Sequence, residues 1–117
     1  MILEDIKNKL LEVDDHVFYG MVDNSMKETL WNYIVFNRSV MSINTNKTGY
    51  TDRFTVHIIR EDWIPEGLEL DVIDKMLEIP GMRLAANDAT YNYVQKPNTN
   101  IVVEMISIDF VKPKKKV

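Results

Sequence analysis

The chain has 117 residues, 45% of them apolar and 27% charged, with no cysteine and a net charge of −4. That length supports one hydrophobic core and leaves two domains each short of one, while the composition excludes a disordered chain. The missing cysteine excludes disulfides, thiolate metal sites and cysteine nucleophiles.

Apolar runs are only a few residues long, against roughly 20 for a membrane span, so no membrane partner is expected. The start, MILEDIKNKLLEVDD, puts acids where a secretory leader has bases, which points to residence in the cytoplasm. Lys112, Lys114, Lys115 and Lys116 hold four of the 14 basic residues, so residues 1–111 carry 10 basic groups against 18 acidic, about −8. Such a body repels phosphate backbones over a Debye length. The organisation expected is one α+β domain over 1–111 and a basic, disordered tail over 112–117, with Pro113 preventing continuation of the last strand.

Met1 to Val13 sets Leu3, Ile6, Leu10 and Val13 on one stripe at helical spacing, with Glu4 and Asp5 near its start. This predicts an amphipathic helix carrying an Asp5–Lys9 pair, stabilised by docking on a sheet. His16 to Val22, HVFYGMV, reads as a first strand, followed by a turn at Asp23, Asn24 and Ser25. Leu30 to Arg38 has apolar groups on both alternating faces, the pattern of a central strand; Val40 to Ile43 either extends it or forms a further short strand. A turn-rich stretch, Asn44 to Gly49, comes next.

Thr51 to Arg60 places Phe54, Val56 and Ile58 on one face, and should pair antiparallel with the strand before it. Pro65 and Gly67 then break the pattern and introduce a helix over Leu68 to Glu78, with Leu68, Val72, Ile73, Met76 and Leu77 as its stripe and Pro80-Gly81 as its stop. Thr90 to Lys96 and Ile101 to Val111 read as a terminal hairpin around Pro97, Asn98, Thr99 and Asn100. In its second strand Ile106, Ile108 and Phe110 face inward while Ser107 and Asp109 face water. The fold class is therefore α+β, a mainly antiparallel sheet with two helices on one face, in the order α-β-β-β-α-β-β.

Chemistry finds little purchase in this pattern. His16 and His57 lack carboxylates at metal-binding helical spacing, and no serine occupies a nucleophile elbow. Glu61-Asp62 and the group Glu66, Glu69, Asp71 and Asp74 read as a solvated face, because Lys75 interrupts the shared helical side. Gly20, Gly49, Gly67 and Gly81 are isolated, so no phosphate-cradling loop can be written. No catalytic residue, metal or cofactor is expected. Of the methionines, Met76 fits the helix stripe and Met105 the last strand, while Met21, Met26, Met41 and Met82 lie near turns. The surplus aromatics are the better functional signal, since two short helices cannot bury Trp31, Tyr33, Tyr91 and Tyr93 together.

Four segments carry a resemblance: WNYIVFNR (Trp31 to Arg38), HIIREDWIPEG (His57 to Gly67), IPGMRL (Ile79 to Leu84) and YNYVQKPNTNIVVEM (Tyr91 to Met105). Together they resemble the tail-terminator or tail-completion proteins of long-tailed bacteriophages of Gram-positive hosts. The resemblance implies a virion protein made in the host cytoplasm, forming a ring of six copies that caps the tail tube and joins it to the head-completion connector. DNA would meet it only in passage, and an acidic channel wall would let DNA slide without adhering. The family offers no interface motif to map, so the interface candidates, Trp31, Tyr33, Trp63, Tyr91 and Tyr93, rest on aromatic enrichment at contact hot spots. Other readings are another head-tail connector or minor tail component, and a small ligand-binding or regulatory module with a pocket between helices and sheet.

Overall fold

The computed structural model describes residues 1–21, 31–43 and 49–115. Six strands form one mostly antiparallel sheet, and two helices pack on one side of it. The helices are α1 (Ile2–Leu11) and α2 (Leu68–Leu77). The strands are β1 (Val17–Tyr19), β2 (Tyr33–Ile43), β3 (Gly49–Glu61), β4 (Arg83–Leu84), β5 (Thr90–Gln95) and β6 (Val102–Lys115). They lie side by side as β1-β2-β3-β6, and β6 carries β4 and β5 one after the other on its outer edge.

Alternation along the three long strands decides which side holds the core. Ile34 and Phe36 on β2, Phe54, Val56 and Ile58 on β3, and Ile106, Ile108 and Phe110 on β6 all point to the helices and are buried. Against them pack Ile6 and Leu10 from α1, Val72 and Met76 from α2, and Ile64, Ile79 and Met82 from the segments flanking α2. Leu3 and Val13 sit at the margin of that cluster, as do Leu68 and Ile73. Leu77 departs from the expected stripe: it is 43% exposed, rotated off the buried face that Val72, Met76 and Ile79 present to the sheet. Gly67 starts α2 from a left-handed backbone at φ 91°, which is why a glycine stands there.

Four sequence expectations need correction. The first strand is three residues long and runs parallel to β2, because α1 and the following turn return the chain to the same end of the sheet at which β2 begins. The Asp5–Lys9 pair gives way to an interhelical network in which Lys9 meets Glu78 at 2.8 Å and Lys75 meets Glu12 at 3.2 Å. A short strand, β4, falls between α2 and the terminal hairpin, held by Ala85 N donating to Asp109 O at 2.9 Å. The last strand does not stop at Val111 but pairs through Pro113 with Thr51 and on to Lys115. Beyond Val111 it has no outer neighbour among the described residues, and an edge is where a strand tolerates proline. Val22, the Asp23–Ser25 turn, Met26, Leu30, the turn over 44–48 and Lys116 lie outside the described residues.

The stretch Val40 to Ile43 continues β2. A bulge at Ser39 separates the Arg38–Phe54 pair from the Val40–Arg53 pair and adds one residue to β2. Past it, β2, β3 and β6 run on together beyond the helices as a three-stranded arm. The molecule measures 53 × 29 × 25 Å, and its radius of gyration is 15.4 Å. A compact chain of this length would have about 13 Å.

At the opposite end Arg60 ties three elements together. Its guanidinium donates to Ile59 O at 2.9 Å and Tyr33 O at 3.3 Å, and pairs with the Asp14 carboxylate, both side chains being largely buried. The second Asp14 oxygen accepts His16 N at 2.9 Å, fixing the turn into β1. Removing one partner leaves a buried charge uncompensated, so Asp14→Ala should lower the unfolding free energy by about 3 kcal/mol, read as a drop in the urea midpoint at constant m. An unchanged midpoint would rule out this clamp.

Candidate assembly surface

Beyond Glu61 the chain turns through Asp62, whose φ of 66° is left-handed, and Asp62 N donates to Val102 O at 2.7 Å. The turn sends consecutive side chains in opposite directions: Ile64 is buried under the helices while Trp63 stands 70% exposed. Ile64 N donates to Glu104 Oε1 at 2.8 Å, so the Glu104 carboxylate is anchored beside Trp63. Tyr93 hydrogen-bonds the same carboxylate from β5, which raises the pKa of its phenol. One pair further along, Tyr91 donates to Glu69 Oε2 at 2.5 Å, and that bond, with smaller contributions from burial and nearby charge, pushes its phenol up to about 12.

The result is an aromatic surface with carboxylates built into it. Tyr91 and Tyr93 lie on the helix side at the end of the sheet where Trp63 follows β3, and exposed Glu66, just before α2, with Leu70, Asp71 and Asp74 on α2 continue this surface. Leu70 is 64% exposed. Sequence reasoning missed it, although an apolar residue between Glu69 and Asp71, out of step with Leu68, Val72 and Met76, was the available signal. The other two aromatic candidates are elsewhere. Tyr33 projects from the helix-free side, half-buried, with its ring 6.0 Å from that of Phe18, and burial raises its pKa. Trp31 precedes β2, half-buried, its indole N–H enclosed without a hydrogen-bond partner among the described residues.

A second apolar surface lies on the arm, where Met41 and Ile43 are 59% and 66% exposed, while Val40, 52% exposed, faces the other side of the sheet. Because of the bulge, Met41 and Ile43 fall on the helix side, next to Asp52 and Tyr50 of β3, which in turn pair with Lys112 and Lys114 of β6. Arg38 belongs to the same side and donates to Tyr19 Oη at 3.1 Å. The arm thus joins aliphatic groups to basic ones.

The helix-free side carries a polar ladder. His57 Nδ1 meets Ser107 Oγ at 2.7 Å, and in the next row Thr55 Oγ1 donates to Asp109 Oδ1 at 2.7 Å, with Arg53 3.5 Å from the same carboxylate. Ser107 and His57 are a cross-strand pair on an open sheet face, and Asp109 is turned to Thr55 and Arg53 instead of orienting the ring. Burial lowers the His57 pKa and Asp109 opposes this only in part. Among the described residues, one open depression lies inside the loop Gln95 to Asn100 and another between α1 and the end of α2, beside the paired Lys9 and Glu78.

No protein-family model matches the chain, and no curated protein matches its sequence. No helix among the described residues is long and apolar enough to cross a membrane.

Since the folded state holds His57 neutral below its ordinary pKa of 6.5, the unfolded chain binds more protons between the two values. Stability should therefore fall as pH drops through about 6.5 and be insensitive to this group above about 7.5. Replacing His57 by Gln should flatten that part of the stability curve, measured by urea unfolding at a series of pH values. An equally steep curve in the variant would remove His57 from the account.

Proposed function

We propose that this protein is a structural component of a phage virion, a tail terminator whose copies close into a ring on the end of the tail tube and join it to the head connector. The observation that supports the reading most is the pairing of two exposed apolar surfaces at opposite ends of one elongated domain: the arm with Met41 and Ile43, and the end with Trp63, Leu70 and Tyr93. Isolated exposed aliphatics are ordinary, but clustered ones rimmed by charge mark contact surfaces. Two different surfaces on one chain suit a contact between unlike faces, which forms a closed ring when the rotation per subunit allows it. The resemblance in the four segments of sequence points to the same class.

Purified protein, alone and mixed with tail tubes, should show rings or capped tube ends in negative-stain electron micrographs. Trp63→Ser should leave the unfolding midpoint nearly unchanged, within about 0.5 kcal/mol as for exposed positions, yet reduce the fraction of capped tubes. A protein that stays monomeric and leaves tube ends bare would defeat the proposal.

A further inference from the structure

The two surfaces differ in charge as well as position. The helix side of the arm carries Arg38, Lys112 and Lys114 around Met41 and Ile43, with Asp52 as the one acid among them. The aromatic end carries Asp62, Glu66, Glu69, Asp71, Asp74 and Glu104 around Trp63, Leu70, Tyr91 and Tyr93, while the nearest lysines, Lys75 and Lys96, are engaged with Glu12 and Glu61. Both surfaces are apolar at their centre, and each carries the sign of charge that the other lacks.

They cannot meet within one molecule. Tyr50, on the arm, and Glu61, beside Trp63, are the two ends of the same straight pairing of β3 with β6. Eleven residues of strand at about 3.3 Å each hold them roughly 35 Å apart. We infer that the occupant of each surface is a second copy of this chain: the basic arm of one subunit seats on the acidic aromatic end of another. This deepens the assembly reading and rests on it. Trp63, Tyr93 and Leu70 supply the apolar contact with Met41 and Ile43, and the lysines meet the acids beside Leu70: Asp74, one turn further along the same face of α2, and exposed Glu66, in the segment that leads into the helix.

Charge reversal tests it. One variant carries Lys112→Glu and Lys114→Glu, the other Glu66→Lys and Asp74→Lys; in each, like charges face each other at every contact. Each variant alone should self-associate at least about tenfold more weakly than the parent in sedimentation velocity. An equimolar mixture should recover the parent's assembly, because every arm then finds an oppositely charged end on the other variant. Should the arm pair lower the melting temperature, Lys114→Glu alone, at an exposed position, replaces it. Variants that assemble as well as the parent, or a mixture that fails to recover, would overturn the contact. Recovery of assemblies that ignore tail tubes would uphold the contact and refute the tail role, whereas tubes capped equally well by both variants would do the reverse. A parent chain that remains monomeric with and without tubes would refute both.

Discussion

The fold is governed by a mismatch of lengths. Each helix has ten residues and spans about 15 Å at 1.5 Å per residue, while β3 and β6, with 13 and 14 residues, extend more than about 40 Å. Helices of that size can cover only the middle of such a sheet. Where they do, the alternating aliphatics become a core; where they do not, the same alternation continues into solvent as the arm. The location of the core, the elongated outline and the exposure of Met41 and Ile43 all follow from this one disproportion.

The covered part explains why the sheet was legible in the sequence. Phe54, Val56 and Ile58, and likewise Ile106, Ile108 and Phe110, alternate with polar or smaller residues over enough positions to fix both the strand and its inner face. The α2 stripe was equally plain, bounded by Gly67 and by Pro80-Gly81. What escaped was whatever depends on partners distant in sequence. The parallel pairing of β1 is set by where α1 returns the chain, and β4 exists because Asp109 O is available to Ala85 N. Pro113 seemed a stop, yet the outer side of β6 is open at that point and the strand runs through it.

The candidate surface was legible only in part, for a related reason. Aromatic type signals contact potential without saying against what, so Trp31 and Tyr33 looked the same as Trp63 and Tyr93. Three-dimensional placement separates them: the left-handed turn at Asp62 throws Trp63 outward, and β5, as an edge strand, leaves Tyr91 and Tyr93 uncovered. On the arm the aliphatics Val40, Met41 and Ile43 carried no aromatic signal, and their exposure depends on how far the helices reach. The polar ladder of His57, Ser107, Thr55 and Asp109 is equally a product of register, since its members are 50 or more residues apart in sequence.

The bulge at Ser39 sets the parity of everything beyond it. Were Ser39 instead paired in register with Arg53, Val40 and Ser42 would take the places that Met41 and Ile43 hold beside Lys112 and Lys114, and the latter two would move to the opposite side of the sheet. A single unpaired residue thus acts as a phase shifter: it leaves the buried half of β2 in step with its neighbours while turning the outer half over. The domain can in this way keep one alternation rule for folding and the inverted one for whatever meets the arm.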